Sequence, residues 1–384
     1  MSSCLSQTSH AEEFKKGAQV TLTRNEPLNF QGVTFKQGSK GEVFTVIIHR
    51  TDTKTVYIAA KDASGRDIAL AAPETAFSLA LNSPPSPVSS TQPNAVLSIR
   101  HATPEEATYL ITTDKAAGSA FLGKQGARVY LFTNYHVIEA AKKITCTNTH
   151  DSFDIAFADT IEVSDNQDIV RIPVQKDYAL NISTEPKINS AVSAYGNSGG
   201  ENVVTKLDGK VLGVGPDILE VSCEFIQGNS GGPLVTTEGS VVGLSTFAVK
   251  EFAVPEWIRK GTRFAMARRF GVRITDTMKW SKTNFGAFQL ETGEIALNNE
   301  NLQTTLKDIV SRIKMDATGA FDTTPIIRAY LADTSRILGK QAHEALYFRR
   351  NSRYSLPYLR TQAKLVSDQM QALSKVLEAM NKMR

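Results

Sequence analysis

Three short stretches carry residue types that together can perform acyl transfer. They are Thr133-Asn134-Tyr135-His136-Val137, Lys176-Asp177-Tyr178-Ala179-Leu180 and Gly228-Asn229-Ser230-Gly231-Gly232-Pro233. A serine hydroxyl is a weak nucleophile near neutral pH. It needs a base within hydrogen-bond reach and a carboxylate that fixes the tautomer of that base. Ser230, His136 and Asp177 are the candidates for those roles. Glycines around Ser230 allow a tight turn that presents the hydroxyl. Gly228, Asn229 and Ser230 are the expected oxyanion-hole residues, with the amides of Gly228 and Ser230 pointing together at a developing oxyanion.

A glycine-rich turn alone is only a turn. What gives it weight is the order His, Asp, Ser, each at the edge of a β-type segment. That order resembles the trypsin/chymotrypsin superfamily of serine peptidases, and especially its bacterial HtrA-like branch. The resemblance implies a double antiparallel β-barrel with the site between the barrels, a catalytic His136-Asp177-Ser230 triad, and no metal or cofactor. Val137 to Ala141 is similar to the short helical turn that carries the histidine in this family. Gly243 to Ala248 resembles its substrate-binding edge, which makes Ser245, Thr246 and Phe247 substrate-binding candidates.

Glu224 stands six residues before Ser230, the offset at which trypsin-like enzymes place the acid that receives lysine or arginine. HtrA-like enzymes often prefer small apolar side chains, so a basic preference and an apolar one both stay open. The implied function is a serine endopeptidase acting on protein or peptide substrates through an acyl-enzyme. The alternative is a catalytically silent protease fold used for binding.

Two ambiguities remain inside the motifs. Asp151, Asp154, Asp159, Asp165 and Asp168 share the interval of Asp177, with Asp168 next in rank. Asp177 is preferred because Tyr178-Ala179-Leu180 resembles the family's buried strand after its aspartate. Gly196-Asn197-Ser198-Gly199-Gly200 repeats the pentapeptide around Ser230. Ser230 is preferred for its Pro233-Leu234-Val235 and Val241-Val242-Gly243 continuation. Trypsin-like zymogens mature when a freed amino group pairs with an aspartate just before the nucleophile. Asn229 stands there instead, and a neutral amide cannot compensate a buried ammonium. Activity without N-terminal cleavage is therefore expected, with the turn ordered by neighbouring loops.

The elements that must position these residues follow from periodicity. Short β-like runs from Gln19 to Leu70, separated by turn signals, predict a small five-stranded SH3-like barrel over residues 14–80. A Pro- and Ser-rich linker covers 81–94. Strands recur from Gly118 to Phe247 within a trypsin-like domain over 95–277, closed by a helix from Pro255 to Arg269. Residues 278–384 read as a helical C-terminal region, so the fold class is multidomain, mainly β and then α. Thr324-Pro325 marks a helix start. Leu359, Ala363, Val366, Met370, Leu373, Leu377 and Met380 form one apolar stripe, which packs within its own chain or serves self-association. The Tyr347–Tyr354 cluster of aromatics and arginines reads as a solvated helix end.

At 384 residues the chain is long enough for two or three domains. A net charge of +4, with the excess in the C-terminal third, makes nucleic acid a poor partner class. No apolar run approaches the roughly 18 residues of a membrane span. Three cysteines cannot form a disulfide framework. The N-terminus lacks a signal-peptide pattern, so the compartment is open: periplasmic or secreted if an export signal has been removed, otherwise cytoplasmic.

Overall fold

A computed structural model describes residues 18–30, 33–50, 54–61, 67–79, 99–250, 267–313, 324–348, 351–352 and 354–382. The chain divides into two compact units. One comprises Met1–Ser98, Ala156–Thr160 and Asn284–Ala287, and the other Ile99–Ile155, Ile161–Thr283 and Phe288–Arg384.

The first unit contains β1 (Gln19–Leu22), β2 (Glu26–Phe30), β3 (Val33–Gly38), β4 (Val43–Arg50), β5 (Thr55–Lys61), β6 (Asp67–Pro73) and β7 (Phe77–Leu79) in one sheet, ordered β3-β2-β6-β5-β4-β1-β7. Seven strands stand where five were expected, because the Leu28–Phe35 run folds as the hairpin β2–β3 and Phe77–Leu79 adds an edge strand. Alternation sends Val20 and Leu22, Phe44 and Val46, and Val56 and Ile58 into a single core. The expected linker at 81–94 lies outside the described residues.

The second unit opens with β8 (Arg100–His101) and a single turn α1 (Pro104–Ala107), capped by the Thr103 hydroxyl, which accepts from the Glu106 amide at 3.2 Å. Then come β9 (Thr108–Thr113), β10 (Ala117–Gln125), β11 (Arg128–Thr133), the turn α2 (Tyr135–Ile138), β12 (Ile144–Thr147), β13 (Ser152–Asp154), β14 (Thr160–Ser164), β15 (Val170–Val174) and β16 (Tyr178–Ile182). These strands form the ladder β13-β12-β9-β10-β11-β15-β14.

Six further strands close an antiparallel barrel: β17 (Ala191–Gly196), β18 (Thr205–Val214), β19 (Ile218–Val221), β20 (Pro233–Thr236), β21 (Ser240–Lys250) and β22 (Ala267–Val272). The order β20-β17-β18-β19-β22-β21 returns to β20 through the β20–β21 pair. The β20–β21 pair closes the ladder, and Val192, Val211, Leu219, Cys223, Phe225 and Leu234 fill the interior. The strand β16 joins the two ladders through short parallel pairs with β10 and β21.

Two helical expectations change here. The helix expected over Pro255–Arg269 lies largely outside the described residues, and its end, Ala267 to Arg269, belongs to β22, which the barrel needs for closure. The helical region begins at Phe285 rather than 278, since Trp280–Asn284 is a further strand, β23, beside β14. Arg171 anchors this edge. Its guanidinium lies over the rings of Tyr130 and Trp280 and pairs with the buried Glu162 carboxylate, which also takes Lys282 at 3.0 Å.

Three long helices follow: α3 (Phe285–Arg312), α4 (Pro325–Leu346) and α5 (Pro357–Lys382). Pro325 at the first position after Thr324 starts α4 as expected. Leu359, Ala363, Val366, Met370 and Leu377 of the apolar stripe are buried within the chain, opposite Leu331, Ser335, Leu338 and Ala342 of α4. Ser335 and Ser374 donate to each other's carbonyls at 2.8 Å, and Ser367 donates to Ala342 at 2.7 Å, which small residues at the contact allow. Tyr347–Phe348 pairs with Asn351–Ser352, so the cluster there is a hairpin; Arg349, Arg350 and Arg353 lie outside the described residues. Tyr354 is buried rather than solvated, its hydroxyl donating to the Ala345 carbonyl at 3.2 Å. No described helix is long and apolar enough to cross a membrane.

Candidate active site

Strand β11 delivers Thr133 and Asn134, and the chain turns at once into α2, which presents His136. The imidazole Nδ1 lies 2.6 Å from Asp168 Oδ2, and the His136 amide donates to Asp168 Oδ1 at 3.1 Å. One carboxylate thus holds both the ring and the backbone of the histidine. Burial disfavours the imidazolium, but the hydrogen bond to Asp168 and the charges of Asp168 and Glu139 outweigh it. The histidine pKa is therefore raised above its ordinary value.

Asp177 does not meet His136. Its side chain is exposed, and its carbonyl accepts from the Arg100 amide at 2.8 Å where β16 pairs with β8. Both aspartates precede a buried strand, but Asp168 precedes β15, the neighbour of β11, from whose end α2 springs. The signal was the run Ile169-Val170-Arg171-Ile172 directly after Asp168, which begins a buried strand as convincingly as the run after Asp177.

Asn134 fastens the assembly. Its Nδ2 donates to the Asp168 carbonyl at 2.6 Å and to Thr246 Oγ1 at 3.2 Å. Thr246 reaches inward because β21 bulges against β22 between Ser245 and Phe247. The Thr246 carbonyl in turn accepts from Ser230 Oγ at 3.4 Å. Among the described residues Ser230 Oγ makes no hydrogen bond to His136.

The Ser230 turn is wedged between backbones. A Cβ on Gly231, at φ +87°, would lie 2.1 Å from the Ser119 carbonyl oxygen, and one on Gly228, at φ +95°, 2.0 Å from that of Asn197. Only glycine fits either position. Ser119 is the hub on β10: its amide donates to the Ser230 carbonyl at 2.8 Å, and its hydroxyl donates to the Gly228 carbonyl and accepts from the Asn197 amide, both at 2.8 Å. Nothing in the sequence singled out Ser119, whose partners lie some hundred residues away.

The amides of Gly228 and Ser230 donate to nothing among the described residues. The Asn229 amide is different: it donates to the Ile226 carbonyl at 3.1 Å, which removes it from the expected set of oxyanion donors. The Asn229 side chain is buried, its Oδ1 accepting from the Ile226 amide at 3.1 Å and from Ser198 Oγ at 3.0 Å. The repeated pentapeptide is therefore a brace against the Ser230 turn. Gly199 adds a backbone bond to the Gln227 carbonyl at 2.8 Å.

Of the expected pocket residues, Ser245 and Thr246 are buried, and Phe247 is exposed with its ring stacked on Phe270 at 5.1 Å. Glu224 is exposed, because alternation along Ser222-Cys223-Glu224-Phe225 turns Cys223 and Phe225 inward. It is not a buried carboxylate, so the desolvated charge that would select a cation is missing. No group of three metal-ligating side chains occurs among the described residues.

Part of the chain is similar to known proteins. Residues 118–244 match the trypsin-like peptidase domain family. Over 148 residues the chain is 28% identical to the serine protease Do-like HtrB of Bacillus subtilis (strain 168), covering 34% of this chain and 32% of that protein. Over 265 residues it is 24% identical to the serine protease HTRA3 of Mus musculus, covering 58% and 57%. The chain thus spans about a third of the length of the Bacillus relative. The crystal structure of the serine endoprotease from Yersinia pestis is similar at a TM-score of 0.34 and 21% identity, over 48% of this chain and 64% of that one.

Proposed function

We propose that the trypsin-like peptidase domain of this chain is an active serine endopeptidase, with Ser230 as nucleophile, His136 as general base and Asp168 as the carboxylate that orients it. The observation that carries this reading is the 2.6 Å pairing of His136 Nδ1 with Asp168 Oδ2. With Nδ1 engaged there, neutral His136 presents Nε2 as the acceptor that a hydroxyl nucleophile requires.

In the reaction, Nε2 takes the Ser230 proton as Oγ attacks the scissile carbonyl carbon. The oxyanion so formed is received by the amides of Gly228 and Ser230, which have no acceptor of their own in the described residues. His136 returns the proton to the leaving amine, the C–N bond breaks, and an acyl-enzyme remains. Water, deprotonated by His136, then attacks the ester and frees Ser230. Ser230 leaves the Thr246 carbonyl by turning about its one χ1 angle, a fast motion, and catalytic hydrogen bonds commonly tighten only with substrate bound. Past the bulge, Phe247 to Lys250 pair on one side with β22, leaving the other for a peptide main chain.

A silent binding fold is the second reading, favoured by the lean of Ser230 Oγ toward Thr246. A fluorophosphonate probe separates the two. Labelling of the intact protein, absent in Ser230→Ala, supports the peptidase; no labelling of folded wild-type protein supports the silent fold.

A further inference from the structure

The turn that carries His136 is too short to hold itself. α2 has four residues, about one helical turn, and so little hydrogen bonding of its own that its orientation must come from outside. Part of that support is the Asp168 and Asn134 network. The rest comes from the C-terminal helices.

Tyr135, directly before His136, is buried with its ring edge-on to two others: Phe288 of α3 at 5.7 Å and Tyr358 of α5 at 4.8 Å. Beyond the far end of the turn, Ala140 adopts φ +53°, and its amide donates to Thr292 Oγ1 at 2.9 Å. Phe288 and Thr292 are one helical turn apart, so one face of α3 grips both ends of the histidine turn. Glu291 lies between them and is buried. Its two carboxylate oxygens accept from the Ser355 amide at 3.0 Å and from Ser355 Oγ at 2.8 Å, just before α5 begins. That clasp sets the start of α5 and hence the ring of Tyr358, its second residue.

We infer that the C-terminal helices position the general base, with Tyr358, Phe288 and Thr292 as positioning residues for His136, so that seating of α3 and α5 sets the reactivity of the site. The inference rests on the reading of His136 as the general base. It gives the helical region a task within the same compact unit. A partner that loosened α5 would slow the enzyme without touching its substrate-binding edge. Asp168, from the loop before β15, and Glu139, directly after α2, bear electrostatically on His136, and Glu139 in turn interacts with Tyr135, with Lys115 before β10 and with the Tyr358 hydroxyl from α5.

The test uses the full chain and two readouts, the rate of fluorophosphonate labelling and the NMR titration of His136, assigned with His136→Gln. Tyr358→Ala and Thr292→Val should slow labelling about tenfold, the scale of a small misplacement of a catalytic group. They should also bring the His136 titration back toward its ordinary value of about 6.5. Tyr358→Phe keeps the ring and should stay within about twofold of wild type, as should Ile326→Ala, which alters a side chain on α4 that is 81% exposed. Circular dichroism at the assay temperature confirms the fold of each variant. Folded Tyr358→Ala with a wild-type labelling rate and an unchanged titration would overturn the inference. If wild-type protein does not label at all, the peptidase reading fails, and the titration alone decides whether the helices hold the histidine.

Discussion

Ser198 Oγ donates to Asn229 Oδ1 at 3.0 Å, joining the two copies of one pentapeptide. The second copy carries the nucleophile candidate; the first braces it. Asn229 Oδ1 also accepts from the Ile226 amide at 3.1 Å, so one neutral amide ties the two loops together. Ser198→Ala should then cost about 1 kcal/mol of stability and lower kcat several-fold. Asn229→Ala removes the acceptor for both Ser198 and the Ile226 amide, and a loss of about 10² in kcat is expected, the scale of a catalytic group misplaced by about 1 Å. Urea unfolding and steady-state kinetics measure both, and wild-type values in Ser198→Ala would show the brace to be idle.

Asp168 and Asp177 make opposite forecasts. Asp168→Asn should keep the fold and lower turnover by about 10⁴ at neutral pH, because an amide can hold the imidazole in the wrong tautomer. Asp177→Asn alters an exposed side chain and should stay within about twofold of wild type. Turnover of the two purified variants on the same peptide decides between them.

The pH profile follows from His136. A general base must be neutral, so kcat/KM should rise with pH to a plateau, with a midpoint above about 6.5 because the histidine pKa is raised. Glu139→Gln removes one of the charges that raises it and should move the midpoint down. The stability consequence has a definite sign. A raised folded-state pKa contributes stability that is fully present below the unfolded value and fades as pH rises through the folded one. The stability difference between wild type and His136→Gln should therefore be largest below the unfolded value of about 6.5 and shrink as pH rises through the raised folded-state value in urea titrations. A midpoint below 6 would contradict the pairing with Asp168.

Exposure of Glu224 predicts the primary specificity. Glu224→Gln should leave the cleavage profile of a peptide library unchanged, since a solvated carboxylate beside the site gives little discrimination. Loss of a lysine or arginine preference in that variant would return Glu224 to the pocket.

Much of this molecule was legible in the residues alone. The strands around His136 and Ser230 followed from alternation and turn chemistry, and the apolar stripe of α5 from its helical spacing. These are local properties, readable within about ten residues. Tertiary structure decided the rest. Whether Asp168 or Asp177 reaches His136 depends on which strand lies beside β11, a pairing between segments 40 residues apart. Ser119, Ser198 and Thr292 acquire their tasks only when β10, the pentapeptide turns and α3 meet. A hydroxyl has the same chemistry wherever it stands, and only the fold supplies its partner.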